Sequence, residues 1–361
     1  MAIFLLPHRG VVGVIYIAAE KRLSFMITKV RFQNFKALKD AELKLGAFNV
    51  IVGPNGSGKS SVLQALKALA EPGSINWGFA TTVGTPPQTL SINVSLKVGD
   101  RPENIKLGFH PQLGWGVMRE PGPQLLAHAG LLGQEINSVL NRIKIFSFET
   151  ASLGQPVNAQ QITDLQRDGK NLVGALTNLR DKDEESYNHL REEFMRWIPE
   201  YDAMVFNNDP NGLRYLNLRQ IISRQTILAS QASEGTLLAL ALLTIVHQPT
   251  PPVLIGLEEP DRGLHPRLLR ELRDALYRLS FPSDFGIKRA PVQVVVTTHS
   301  PFFLDLFKDH PEQVIIAEKQ RDGTATFKNL SDDKELRELI GDAPLGEVCY
   351  SGVLGGVPVP A

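Results

Sequence analysis

The chain has 361 residues, 43% of them hydrophobic and 21% charged, enough for one large domain or two smaller ones. Its 38 basic and 38 acidic side chains cancel, which excludes a bulk electrostatic pull toward nucleic acid and leaves only a local basic patch or a complex for such contact. The single cysteine, Cys349, excludes an internal disulfide, and no apolar run reaches the ~20 residues that cross a bilayer. Both features fit a cytoplasmic protein without a membrane partner.

At the N-terminus, Ile3 to Leu6 precede Arg9, the reverse of the order in a secretory leader. Met26 opens a clean strand, MITKVRFQNF. Glu20-Lys21-Arg22 have purine-rich codons just upstream, where a ribosome-binding site would sit. Residues 1–25 are therefore expected to be a non-native extension, with one domain over 26–361. Ile27, Val30 and Phe32 alternate as a strand, Leu43 and Leu45 suggest a second, and Phe48 to Val52 is a short buried one. A glycine-rich turn leads into a helix from about Lys59 to Ala70, with Val62, Leu63, Leu66 and Leu69 on one face. Residues 73–125 carry β-like stretches at Leu90 to Val98 and Asn104 to Phe109, read as a meander. Residues about 130–222 are read as a helical insertion, with helices near 132–144, 171–180 and 184–197 and no sustained heptads. Beyond 225, helices and strands alternate: helix 234–247, strand 252–257, helix 266–279, strand 292–297, helix 302–308, strand 313–317. That alternation predicts an α/β fold with a mostly parallel, covered sheet behind an N-terminal antiparallel β portion.

Four segments carry chemistry. Gly53-Pro54-Asn55-Gly56-Ser57-Gly58-Lys59-Ser60 matches G-x-x-x-x-G-K-[ST] in full, between a buried strand and a helix. The glycines let backbone N–H groups curl toward phosphate oxygens, and the helix start adds its positive end. Lys59 is the cation for the β and γ phosphates of a nucleotide such as ATP, Ser60 offers a hydroxyl to Mg²⁺, and Ser61 is a further donor. Val253 to Leu257 is an apolar strand ending in Glu258-Glu259; next to a phosphate cradle, Glu258 suits the metal and Glu259 the attacking water. Ser233-Glu234-Gly235-Thr236 opens helix 234–247 with a Ser cap and a glycine, a second potential anion site. Val294 to Thr298 is an apolar strand leading to His299, which can reach a γ-phosphate. Each of the last three segments alone is common in ordinary structure; their order behind a complete cradle is not.

With these residues in view, the chain resembles the ABC-type P-loop ATPases related to SMC and RecF, and most of all the ATPase domains of the OLD (overcoming lysogenization defect) family. The resemblance runs from Met26 to about Pro358. It rests on ITKVRFQNFKALKDAELKLGAFNVIVGPNGSGKSS, on ASEGTLLALALL where transporters usually show LSGGQ, on LEEPDRGLHP and on VVVTTHSPFFLDLF. It implies an ATPase using ATP and Mg²⁺, with Glu259 as base, Glu258 and Ser60 on the metal, and His299 as the switch. It also implies an ATP-sandwiched homodimer in which Ser233 and Gly235 grip the partner's γ-phosphate, and it sets Lys36 beside the nucleotide. The same resemblance implies a switch or clamp in DNA repair, DNA processing or phage defence, acting with DNA and a separate nuclease or effector subunit. The Toprim nuclease module of full OLD proteins and the coiled coils of SMC proteins have no counterpart in these residues, and no Q-loop can be placed.

Two other functions fit the P-loop. The first is the ATP-binding subunit of a transporter, opposed by the SEGT signature and the unplaced Q-loop. The second is an ATP-gated scaffold with negligible turnover, opposed by the two carboxylates. Arg262, Arg267, Arg270, Arg273 and Arg278 crowd one helix and read as a solvated face balanced by Glu271 and Asp274, with a DNA- or partner-facing patch as the alternative.

Overall fold

The computed structural model describes residues 24–120, 124–126, 130–334, 341 and 343–350. The expected extension 1–25 lies outside the described residues except for its last two positions. Phe25–Phe35 (β1) and Leu38–Lys44 (β2) form a hairpin, followed by Phe48–Val52 (β3), Lys59–Ala70 (α1) and the single turn Trp77–Ala80 (α2). Next come Ser91–Val98 (β4), Arg101–His110 (β5), Gly114–Glu120 (β6), Gln124–Leu125 (β7), Gly130–Leu140 (α3), Ile143–Phe146 (β8), Leu172–Lys182 (α4) and Glu184–Trp197 (α5). Tyr201–Asn208 (β9), Arg214–Gln220 (β10) and Thr226–Leu228 (β11) lead to Glu234–His247 (α6), Leu254–Glu258 (β12), Pro266–Ser280 (α7) and Gln293–Thr298 (β13). Pro301–Asp305 (α8), Val314–Lys319 (β14), Ala325–Asn329 (β15) and Leu345–Tyr350 (α9) complete the described chain.

The central sheet runs β15-β14-β3-β13-β12-β8 and is parallel except for β15. Its inner strands are apolar at nearly every position because both faces are covered. Alternate residues go to opposite cores: Ile51, Leu254 and Val295 pack with α1 and the antiparallel sheet, while Val50, Ile255, Val294 and Val296 pack with helices α4 to α8. The second sheet, β2-β1-β4-β5-β6-β7, is the expected N-terminal antiparallel portion. Gln293, buried at the start of β13, ties the two sheets together: its Oε1 accepts from the Ile27 N–H at 2.9 Å, and its Nε2 donates to the carbonyls of Ile27 (2.7 Å) and Gly46 (2.8 Å).

The stretch 130–222 is only partly helical. It holds α3, α4 and α5 as read from sequence, but also β8 and two strands of the small antiparallel sheet β11-β10-β9. The helix expected over 132–144 stops at Leu140, and the chain enters the central sheet as β8, which pairs in parallel with β12 through Ile143↔Leu254 and Ile145↔Gly256. Ile136, Val139, Leu140 and Ile143 follow the helical spacing i, i+3, i+4, i+7, so periodicity alone carries the helix too far. A buried charge cluster then fixes α5 to its neighbours. Glu193 accepts from Arg278 of α7 and pairs with His247 Nε2 of α6 at 2.8 Å. Burial alone would raise its carboxyl pKa; the hydrogen bonds from His247 and Arg278 outweigh burial and hold it at about 2.

Candidate nucleotide site at the strand ends

β3 ends at Val52, opposite Thr298 of β13, and Glu258 of β12 stands opposite Thr297. Three parallel strands thus end on one edge of the sheet, where open α/β sheets bind ligands. The cradle begins there. Gly56 and Gly58 have φ of 76° and 89°, in the left-handed region that a residue with a Cβ avoids. Gly53 is needed for space: a Cβ on it would lie 2.1 Å from the Ala317 carbonyl oxygen. Asn55, Gly56 and Ser60 are exposed, Ser61 is half-buried, and Pro54 lies beneath them.

Lys59 is 6% exposed, and its ammonium donates to the carbonyls of Gly53 (2.8 Å) and Pro54 (2.9 Å). Burial pulls it from 10.5 down to about 8, while Glu259, Cys349 and Glu258 favour its charged form. The cation is therefore held by its own loop, next to both acids. The Ser57 hydroxyl is fully buried with no hydrogen-bond partner among the described residues. Among the described residues the Lys59 ammonium bonds only carbonyls of its own loop, which suits a phosphate that would take it over.

Glu259 has φ 45°, unusual for a residue with a side chain, and its N–H donates to the Thr297 carbonyl at 3.0 Å. That turn sends its carboxylate toward His299, whose Nε2 lies 3.4 Å from Glu259 Oε1. Burial, helped by Lys59, lowers the His299 pKa against the opposing pull of Glu259, which favours the neutral imidazole. A carboxylate and a neutral imidazole in contact, beside a cradle with a buried cation, can take a proton from water and meet a γ-phosphate.

Known proteins resemble the chain on three levels. Residues 26–107 match the family described as AAA ATPase domain, and residues 133–305 match the family described as AAA domain, putative AbiEii toxin, Type IV TA system. An SMC head bound to the C-winged helix domain of ScpA aligns over 84% of this chain and 96% of its own, with TM-score 0.60 at 15% identity. The chain is an ATPase with the SMC-head fold. An SMC head with an extended coiled coil bound to the C-terminal domain of ScpA, derived from Pyrococcus furiosus, aligns over 88% of the ATPase and 99% of its own chain, with TM-score 0.54 at 14% identity. An OLD nuclease of Thermus scotoductus is 44% identical over 41 residues, 11% of the ATPase and only 8% of that protein's length. The resemblance to SMC-like and OLD-like ATPases read from the motifs is borne out, as is the α/β P-loop fold.

The other expected site residues have partners outside the Lys59–Glu259–His299 group. Ser233 caps α6, its Oγ accepting from the Thr236 N–H at 3.2 Å, and Glu234 accepts from the Thr150 hydroxyl at 3.1 Å. A Cβ on Gly235 would lie 2.8 Å from the Gly263 carbonyl oxygen, so this glycine already has a packing reason within its own chain. Lys36 has φ 52°, donates its N–H to the Ala80 carbonyl at 2.8 Å, and its ammonium bonds Gln64 of α1, one turn beyond Ser60. Of the five arginines around α7, three are engaged within the fold. Arg267 bonds the Trp197 carbonyl at 2.9 Å, Arg273 pairs with Asp274 and lies over Tyr277, and Arg278 joins Glu193. Among the described residues no helix is long and apolar enough to cross a membrane. One site residue was not foreseen: Asp261, buried just beyond the two acids and bonded to Thr298. A carboxylate two residues past Glu259 was the only signal.

Proposed function

We propose that the ATPase hydrolyses ATP, with Mg²⁺, in a site completed by a second copy of itself. The contact of Glu259 with His299 beside the buried Lys59 carries this reading. The loop 53–58 with Lys59 and Ser61 would hold the phosphates, and Lys36, bonded to Gln64 of α1, would stand beside the rest of the nucleotide. Ser60 and Glu258 would hold Mg²⁺, which supplies charge neutralisation at the β and γ phosphates. Glu259 takes the proton of the attacking water, and neutral His299 hydrogen-bonds at the γ-phosphate end.

Ser233 and Gly235 open α6 with a helix N-terminus, a potential phosphate contact. Within the chain Ser233 bonds Thr236 and Gly235 packs against Gly263, neither of them a cradle residue. This supports their use in trans, against the nucleotide of a second copy related by a two-fold axis. The domain from residue 26 onward would then work as a switch or clamp in the cytoplasm. Similarity to an OLD nuclease and to a family described as a putative AbiEii toxin supports a role in phage defence or DNA processing, with DNA and a separate effector as partners. The ScpA fragments bound to the SMC heads are a precedent for a docked partner protein.

Light scattering of Glu259→Gln with Mg-ATP is the test. The amide cannot take a proton, so turnover falls by about 10²–10⁴-fold while ATP stays bound and dimer accumulates. Adding Ser233→Arg should abolish that dimer. A double variant that still dimerises would sink the composite site, and near-normal turnover in Glu259→Gln would remove Glu259 as base.

A further inference from the structure

Asp261 lies in the loop after β12 and is 8% exposed. Its Oδ2 accepts a hydrogen bond from the Thr298 hydroxyl at 2.8 Å. The same hydroxyl oxygen accepts from the Ser300 N–H at 2.9 Å. Thr298 and Ser300 flank His299, so one hydroxyl holds both sides of the imidazole-bearing segment and one carboxylate anchors that hydroxyl. Ser300 in turn caps α8, its Oγ accepting from the Phe303 N–H at 3.2 Å. The opposite partner is fixed separately, because Glu259 is pinned through its N–H to Thr297, the neighbour of Thr298. The second Asp261 oxygen, Oδ1, is buried without a hydrogen-bond partner among the described residues. A carboxylate kept in such a place costs stability, and burial pushes its pKa up to about 6. A fold that needed only a staple could make the same bond with an apolar-compatible hydroxyl or amide.

Resting on the site described above, we infer that Asp261 is a positioning residue that sets, through Thr298, where His299 stands relative to Glu259. It touches neither phosphate nor water itself. Cutting its bond to Thr298 frees the segment at the end of β13, and the 3.4 Å contact between His299 and Glu259 is the distance that drifts. Catalytic groups misplaced by 1 Å can cost on the order of 10²-fold in rate. The cradle is anchored independently, on β3 and α1, so nucleotide affinity is not part of the effect.

The test compares steady-state ATP hydrolysis and thermal midpoints of Asp261→Ala, Asp261→Asn, Thr298→Val and Thr298→Ser, with Glu259→Gln in parallel. Asp261→Ala and Thr298→Val should lower kcat by roughly 10- to 100-fold with KM for ATP little changed. Asp261→Asn keeps an acceptor oxygen and Thr298→Ser keeps the hydroxyl, so both should recover most of that loss. The double variant Asp261→Ala/Thr298→Val should be no slower than the slower single one, because both cut one bond. Wild-type kcat in Asp261→Ala with a lowered thermal midpoint would overturn the inference and leave a structural staple. Additive losses, or an Asp261→Asn enzyme as slow as Asp261→Ala, would overturn it too. If Glu259→Gln itself turns over normally, the reading of the site fails; if Glu259→Gln stalls while Asp261→Ala does not, only the positioning role fails.

Discussion

Gly53→Ala adds one methyl group where β3 turns into the phosphate cradle. A Cβ built there falls 2.1 Å from the Ala317 carbonyl oxygen and 2.9 Å from Ser57 Oγ. Ala317 belongs to β14, whose ladder with β3 runs through Ile316↔Val52 immediately before it. The carbonyl therefore cannot retreat without parting two central strands. Real Cβ contacts begin near 3.0 Å, so loop and strand must separate by about 1 Å. Overpacking of this kind costs about 1–3 kcal/mol. A 1 Å displacement of the loop also moves every N–H that would face phosphate, at a cost on the order of 10²-fold. Urea unfolding should show the loss of stability, and titration with a fluorescent ATP analogue and Mg²⁺ should show binding weakened by roughly tenfold or more. Gly46→Ala is the control: its Cβ meets nothing nearer than 3.9 Å, and both readouts should stay at wild type. If Gly53→Ala is as stable as wild type and binds equally well, the geometry of the cradle is not set by its contact with β14.

Lys59→Ala should abolish ATP binding, because the cradle loses its buried cation; equilibrium dialysis giving an affinity within about twofold of wild type would count against the assignment. Glu193→Ala should cost about 3–5 kcal/mol in urea unfolding, since it leaves Arg278 and His247 without their carboxylate. Because the folded Glu193 titrates near 2 against 4.5 in the unfolded chain, its contribution is complete above about pH 4.5 and lost as pH falls toward 2, so the variant's acid-unfolding curve should be flatter in that window. Asp261→Asn has the opposite sign. The folded carboxyl titrates near 6 against 3.8 unfolded, so its protonation favours the fold fully below pH 3.8 and that gain disappears as pH rises through 6. Removing the charge should stabilise the protein by about 3 kcal/mol at pH 8 and by much less at pH 4, read from thermal melts at both values.

The elements built from contiguous patterns were legible in the sequence. β3 and α1 fall at the positions expected, because a buried strand, a glycine turn and an amphipathic helix each carry their own local signal. α5 and α6 begin at the expected positions, α6 at its Ser233 cap as read from sequence and α5 at an Asp183 cap seen in the structure. What was not legible depends on partners distant in the chain. β8 is four residues long and owes its existence to β12, more than a hundred residues later. β9 and β10 were hidden because Arg214, Arg219 and Asp202 interrupt their apolar alternation and pair across the strands instead. Asp261 has no motif of its own; its place is defined by Thr298, on a different strand. The arginines of α7 show the same limit, since three of them reach partners that helical spacing cannot reveal.

The position of β8 bears on how this architecture can be shortened or exchanged. The stretch 130–222 looks like a cassette that could be cut out and replaced by a linker, yet four of its residues close the flank of the central sheet. Excision would leave Leu254 to Leu257 with a bare row of N–H and C=O groups, directly behind the two acids. An apolar flank of that kind recruits strands from other molecules and promotes aggregation. Trimmed versions should therefore retain Ile143 to Phe146 and graft the linker on either side of them. A minimal form made without that strand would fail by self-association before its chemistry could be measured.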